Sequence, residues 1–167
     1  MKSVHFLCSK LAITTLAGAA LSLAALTPIT AAPIAAGSCV ATAMKYKVST
    51  TSQSTGSTTK DYVDVIDTRI DFTQGGNSNS CVIVSFSAQA DTGGAVMQVR
   101  ALLDGSECLP TDNNFVGGTG AFGTFPSHAM NYVCENVAPG NHRVKMQFRT
   151  QGEVALWKRT IIVHFVK

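Results

Sequence analysis

Three histidines, His128, His142 and His164, carry the side chain best suited to moving protons near neutral pH. They fall on three separate stretches of the chain. A hydrolase would need one of them beside a hydroxyl or thiol, with a carboxylate behind the ring. No Gly-x-Ser-x-Gly elbow announces such a nucleophile. His142 follows the turn Ala138-Pro139-Gly140-Asn141 and is placed to bond turn backbone. The sequence names no catalytic residue. It points to a non-catalytic exported protein, a binding or cell-envelope-associated module. The alternative is a small extracellular hydrolase whose site is assembled from residues distant in sequence.

Charged residues offer binding chemistry instead. Arg143, Lys145 and Arg149 alternate along one stretch, with Gln147 in line. Such a stripe suits an acidic glycan or a lipid headgroup, or it guards an edge strand against aggregation. Asp61, Asp64, Asp67 and Asp71 form an acidic series. On a strand, Asp67 and Asp71 share a face with Arg69 while Asp64 points away, which describes a solvated face. Asp112-Asn113-Asn114 is the one cluster resembling a calcium loop, and it equally suits a plain turn. Zinc spacing is absent, so neither a metal nor a cofactor is expected. The segment from Ser106 to Gly123 is long and glycine-rich, and long loops at the end of a rigid scaffold are where binding resides. Within it Phe115 and Phe122 could stack on a sugar or plug the end of the domain. Their neighbours favour exposure for Phe115 and burial for Phe122.

The compartment follows from the start of the chain. Lys2 and Lys10 accompany an apolar run from Leu11 to Leu26, and small residues occupy 30–38. These are the parts of a secretory signal peptide. Ala35 and Gly37 suit cleavage before Ser38, making residues 1–37 the signal. The run is short of the roughly 20 residues needed to span a bilayer, so no transmembrane anchor is expected after cleavage. Lipidation of Cys39 would use Ala36-Gly37-Ser38-Cys39, a poor lipobox. Secretion or release to a periplasm is the expectation. Without Lys2 and Lys10 the thirteen basic residues fall to eleven against ten acidic, a balance of +1. Nothing in that balance calls for nucleic acid. A glycan or another envelope or extracellular protein is the expected kind of partner.

Of the five cysteines, Cys8 lies in the signal. Cys39, Cys81, Cys108 and Cys134 remain, an even number in an oxidising compartment, and predict two disulfides. Three pairings are open. Cys39 with Cys81 and Cys108 with Cys134 are favoured, because each closes a shorter loop than the crossed alternatives and joins neighbouring strands.

The elements that would position these residues are strands. Gly, Asn, Asp and Ser clusters punctuate apolar alternation, and no amphipathic helix of three turns follows the signal. Met44 to Val48 predicts a short first strand, and Ser49 to Lys60 reads as a loop or linker. Residues 38–60 thus precede a domain over 61–167. Tyr62 to Phe72 alternates, with Tyr62, Ile66, Ile70 and Phe72 on one face. Cys81 to Ala90 and Ala95 to Leu103 alternate around the turn at Asp91-Thr92-Gly93-Gly94. His128 to Cys134, His142 to Thr150 and Val154 to Val166 complete the set, the last with Trp157, Ile161, Val163 and Phe165 inward. About eight strands with one buried face each predict an all-β, antiparallel two-sheet sandwich, of jelly-roll or immunoglobulin-like type.

Four segments have a family look: Val82 to Ala88, Val99 to Gly105, Ala138 to Arg149 and Arg159 to Val163. A strand ending in Phe-Ser-Ala, a strand ending in Asp-Gly, and a Pro-Gly-x-His turn feeding the penultimate strand occur in that order. Over residues 62–166 the chain thereby resembles a group of small exported bacterial β-sandwich proteins. The resemblance implies the fold and the export, and it brings no catalytic residues with it.

Overall fold

Alternation in Val82, Val84, Phe86, Ala88 and Ala90 commits one stretch to a strand with a single buried face. In the computed structural model, which describes residues 39–55, 59–91, 93–117 and 123–167, that stretch is β5 (Ser80–Asp91), and all five side chains are buried. The other strands are β1 (Ala43–Ser49), β2 (Gln53–Thr55), β3 (Thr59–Asp64), β4 (Ile70–Gln74), β6 (Met97–Leu103), β7 (Ser106–Glu107), β8 (Asn114–Val116), β9 (Ser127–Val137), β10 (Gly140–Thr150) and β11 (Val154–Phe165). Sheet A runs β1-β11-β5-β9, with β2 also on β11. Sheet B runs β3-β10-β6-β7, with β4 also on β10 and β8 also on β6. All pairings are antiparallel.

Three broken strands, β1 with β2, β3 with β4, and β7 with β8, each occupy one rank. The sandwich therefore has four ranks per sheet, and its order is that of a jelly roll. Among the described residues no helix is long and apolar enough to cross a membrane.

The core lies between the sheets. Val144, Met146 and Phe148 of β10 and Met97, Val99 and Ala101 of β6 face Val82, Val84 and Phe86 of β5 and Ile161 and Val163 of β11. Tyr132 of β9 crosses this layer and donates its hydroxyl to the Val99 carbonyl at 2.8 Å. Burial pushes the Tyr132 phenol well above its ordinary pKa.

Both favoured disulfides are present. Cys39 joins Cys81 and Cys108 joins Cys134, with Cα separations of 5.5 and 4.5 Å. The Cys39 sulfur is thus committed to Cys81, which leaves none for a lipid thioether. Cys108–Cys134 ties the β7 edge of sheet B to β9 of sheet A. Replacing Cys108 and Cys134 together by alanine should lower the unfolding free energy by about 2–4 kcal/mol. Denaturant melts of the non-reduced proteins measure this, and mass spectrometry of unaltered residues 38–167 should find no free thiol.

Three expectations are corrected. Residues 49–60 are not only a linker, since β2 pairs with β11 and β3 begins at Thr59. An edge rank needs backbone pairing and no apolar face, so a Ser/Thr-rich segment can fill it. Tyr62 to Phe72 is two strands, not one. Asp67 has a φ of 62° and turns the chain, leaving Ile66 exposed while Val65 enters the core. The Thr68 hydroxyl donates to the Val65 carbonyl and accepts from Met146 N–H, stitching the turn to β10. In β11, Lys158 at a φ of 43° makes a bulge between Trp157 and Thr160 that shifts the alternation by one residue. Trp157 therefore faces outward, while Leu156, Ile161, Val163 and Phe165 are buried.

The same bulge carries Arg159 inside, only 1% exposed. Its guanidinium donates to the Leu156 carbonyl (3.1 Å) and to the Ser49 and Thr51 hydroxyls (3.3 and 3.2 Å). Ser49 hands the contact on to the Asp67 carboxylate at 3.0 Å. Burial lowers the Arg159 pKa, and the Asp67 charge opposes that shift.

Candidate functional site

The outer face of sheet B holds most of the charged side chains that the sequence singles out. Alternation in β10 buries Val144, Met146 and Phe148 and turns Arg143, Lys145, Gln147 and Arg149 outward. Sheet register then chooses their partners. Arg143 lies opposite Asp71 of β4, and Gln147 lies opposite both Asp64 of β3 and Arg100 of β6. Arg143 Nε meets Asp71 at 2.8 Å, and Lys145 Nζ meets both oxygens of Asp64 at 2.8 and 3.0 Å. Gln147 donates to Asp64 at 2.7 Å and accepts from Arg100 at 2.8 and 3.0 Å. Arg149 faces Asp112 at 3.7 Å and packs over the Tyr62 ring, which Arg100 covers at 3.8 Å. The basic stripe is thus cross-paired along its length.

At one end lies the turn at Asp104 and Gly105, both at positive φ. Asp104 accepts from Arg143 N–H at 2.8 Å and bonds His142 Nδ1 at 2.7 Å. At the other end Lys45 of β1 donates to the Asp71 carbonyl at 2.8 Å. Between them lies a cleft of about 860 Å³. Its charged lining is Lys45, Arg69, Arg143 and Lys145 against Asp64, Asp71 and Asp104, with Thr73, Asn141 and His142 beside them. The walls therefore present donors and acceptors in near balance.

Bonds from Lys145 and Gln147 hold the Asp64 carboxyl below its ordinary pKa, and the Arg143 bond does the same for Asp71. A lowered folded pKa adds stability that is present above the unfolded value and is lost as pH falls through the folded one. Exposed pairs of this kind are screened by solvent and add little to stability. Lys145→Ala should move the Asp64 titration upward, towards the ordinary carboxylate range. Carboxyl-detected NMR titration reads this directly, and an unmoved Asp64 would show that Lys145 is not its partner.

His142 meets a carboxylate at this cleft, the first half of what a hydrolase requires. Its other ring nitrogen is 2.7 Å from the Ala138 carbonyl, so both nitrogens are engaged and neither faces a hydroxyl. His128 points inward on β9 against Phe115, and its Nε2 is buried without a partner. The two histidines share no carboxylate. Among the described residues no three His, Cys, Asp or Glu converge as metal ligands.

The expected aromatic platform takes a different form. Phe115, expected to be exposed, is 5% exposed and packs on Phe86 and His128. The reason lies in the segment around it. β7, the Cys108–Cys134 bond, the Leu109–Val133 bridge and β8 pin residues 106–116 across the edge of the sandwich, and Phe115 fills the space beneath. Phe122 lies outside the described residues. Phe125 is 43% exposed and meets Trp157 edge-on at 4.3 Å, an aromatic pair on sheet A that becomes legible only once the β11 bulge turns Trp157 outward. Sequence reading placed Arg143 and Lys145 on one face but missed Asp64, Asp71 and Asp104 as their partners. Opposite charges in separate alternating strands were the available signal.

No family model matches the chain, and no curated protein matches it. Among solved structures it is similar to a chain of infectious bursal disease virus, Gt strain, with 14% identity and a TM-score of 0.52 over 84% of this chain and 35% of that one. A mutant VP2 protein of infectious bursal disease virus aligns with 12% identity and a TM-score of 0.40, over 84% of this chain and 39% of that one. The chain spans little more than a third of the length of these structures. At such identity the likeness shows the fold alone.

Proposed function

We propose that this is a non-catalytic, exported jelly-roll module whose polar cleft on sheet B binds a saccharide. One observation carries the reading: carboxylates and cationic groups alternate around the cleft in near balance. A sugar hydroxyl donates one hydrogen bond and accepts others, so neighbouring hydroxyls call for both kinds of partner side by side. A volume of about 860 Å³ lies within the ordinary range for small-ligand sites. Cross-pairing of Arg143 and Lys145 with Asp71 and Asp64 favours a neutral saccharide over a polyanion. Two disulfides suit an oxidising extracellular or periplasmic environment, and cleavage of residues 1–37 is the proposed route there. The engaged ring of His142 weighs against the hydrolase alternative.

A glycan array probed with the mature chain tests this reading. At least one neutral glycan should be retained, and Asp64→Ala with Arg143→Ala together should cut its retention by on the order of tenfold or more. Melting of that variant should shift little, because both pairs are exposed. An array that retains nothing ends the proposal, as does a double variant that binds unchanged.

A further inference from the structure

Edge strands usually protect themselves, because unpaired backbone groups are a template for another strand. β1 forms one edge of sheet A, paired with β11 on one side and, among the described residues, with no strand on the other. It is seven residues long, and six of them are half-buried or exposed. Lys45 and Lys47 sit on it as guards of the usual kind. Their neighbours do not fit a guarding role: Met44, Tyr46 and Val48 are 61%, 66% and 62% exposed, a row of large apolar side chains on the outer face. Keeping a strand soluble needs no such row.

Beside β1 lies a groove of about 460 Å³, lined by Met44, Lys45, Tyr46, Lys47, Arg69, Ile70 and Asp71. Its one carboxylate, Asp71, is already bonded to Arg69 and Arg143. Lys45, Lys47 and Arg69 therefore leave the groove cationic. We propose that β1 is a docking edge for an extended polypeptide strand that alternates apolar and acidic residues. The incoming strand would extend sheet A by main-chain hydrogen bonds. Its apolar side chains would lie along Met44, Tyr46 and Val48, and its carboxylates would enter the groove towards Lys45, Lys47 and Arg69. A second copy of this chain fits poorly. Antiparallel self-pairing about Tyr46 sets Lys45 against Lys47 of the other copy, and like charges directly opposite are destabilising. This surface adjoins the saccharide cleft and shares Lys45, Arg69 and Asp71 with it, while Met44, Tyr46 and Lys47 line only the groove.

The test uses the full mature chain and two capped synthetic peptides, one alternating valine with glutamate and one alternating valine with lysine. Fluorescence anisotropy should show binding of the glutamate peptide and not of the lysine peptide. Hydrogen exchange should show the amides of 43–49 slowing only with the glutamate peptide. Lys47→Glu should weaken the glutamate peptide by about tenfold, and Tyr46→Ala should weaken it without changing the charge preference. If Lys47→Glu does not fold, Tyr46→Ala alone carries the comparison, because its ring is exposed. Equal binding of the two peptides, or no slowing at 43–49, overturns the proposal. So does a concentration-dependent dimer of the chain that slows the same amides, which would assign the edge to a second copy. Tyr46 and Lys47 lie outside the saccharide cleft, so both variants should retain glycans as the unaltered chain does.

Discussion

Phe148→Ala should lower the unfolding free energy by about 3–5 kcal/mol, the cost of truncating a fully buried aromatic ring and leaving part of its volume empty. Phe148 is fully buried, and its backbone neighbours are Val63 of β3 and Val99 of β6. Polar neighbours in sequence, Gln147 and Arg149, cannot collapse into the space, because they point to the opposite face. Lys145→Ala, on that opposite face and three residues away, should cost no more than about 1 kcal/mol, since its pair with Asp64 is exposed. Denaturant midpoints for the two variants at equal slope give the comparison. Equal losses would mean that the inward and outward faces of β10 have been exchanged.

Phe115→Ala should cost about 3 kcal/mol, the low end for a buried phenylalanine. Its ring lies 5.4 Å from Phe86 and 5.5 Å from His128 at the margin of the core, where a three-residue strand can partly close over the loss. A binding platform would behave otherwise: the melting curve would barely move while ligand retention disappeared. A melting midpoint that drops by several degrees identifies Phe115 as core. The same substitution at exposed Phe125 should leave the midpoint nearly unchanged.

Strands with strict alternation were legible because one parity is buried from end to end. β5 and β10 follow the sequence pattern residue by residue. β11 does not, because a single residue at positive φ, Lys158, exchanges the two parities halfway along, and lysine carries no signal for that conformation. The break at Asp67 was equally silent: aspartate tolerates a left-handed backbone, but it also suits a solvated strand face. Residues 49–60 lacked apolar periodicity since their pairing is along an edge. The site divided in the same way. Arg143, Lys145 and Arg149 were visible as one row, being local. Their partners are not local; Arg143 and Asp71 are separated by 72 positions, and Lys145 and Asp64 by 81. Only sheet register makes such residues neighbours.

The place of β11 in sheet A bears on when the protein can fold. This strand, later in sequence than every other, is interior: β1 and β2 pair with one side of it and β5 with the other. Thr42 and Lys167, which bond across the β1 end of this arrangement, are 125 positions apart. Until β11 has been synthesised, β1 has no partner and β5 has only β9, so sheet A cannot close. Topologies dominated by such distant pairings fold slowly, in milliseconds to seconds. Sheet B and the β5–β9 pair can form before β11 is present, whereas the sandwich closes only once β11 inserts between β1 and β5.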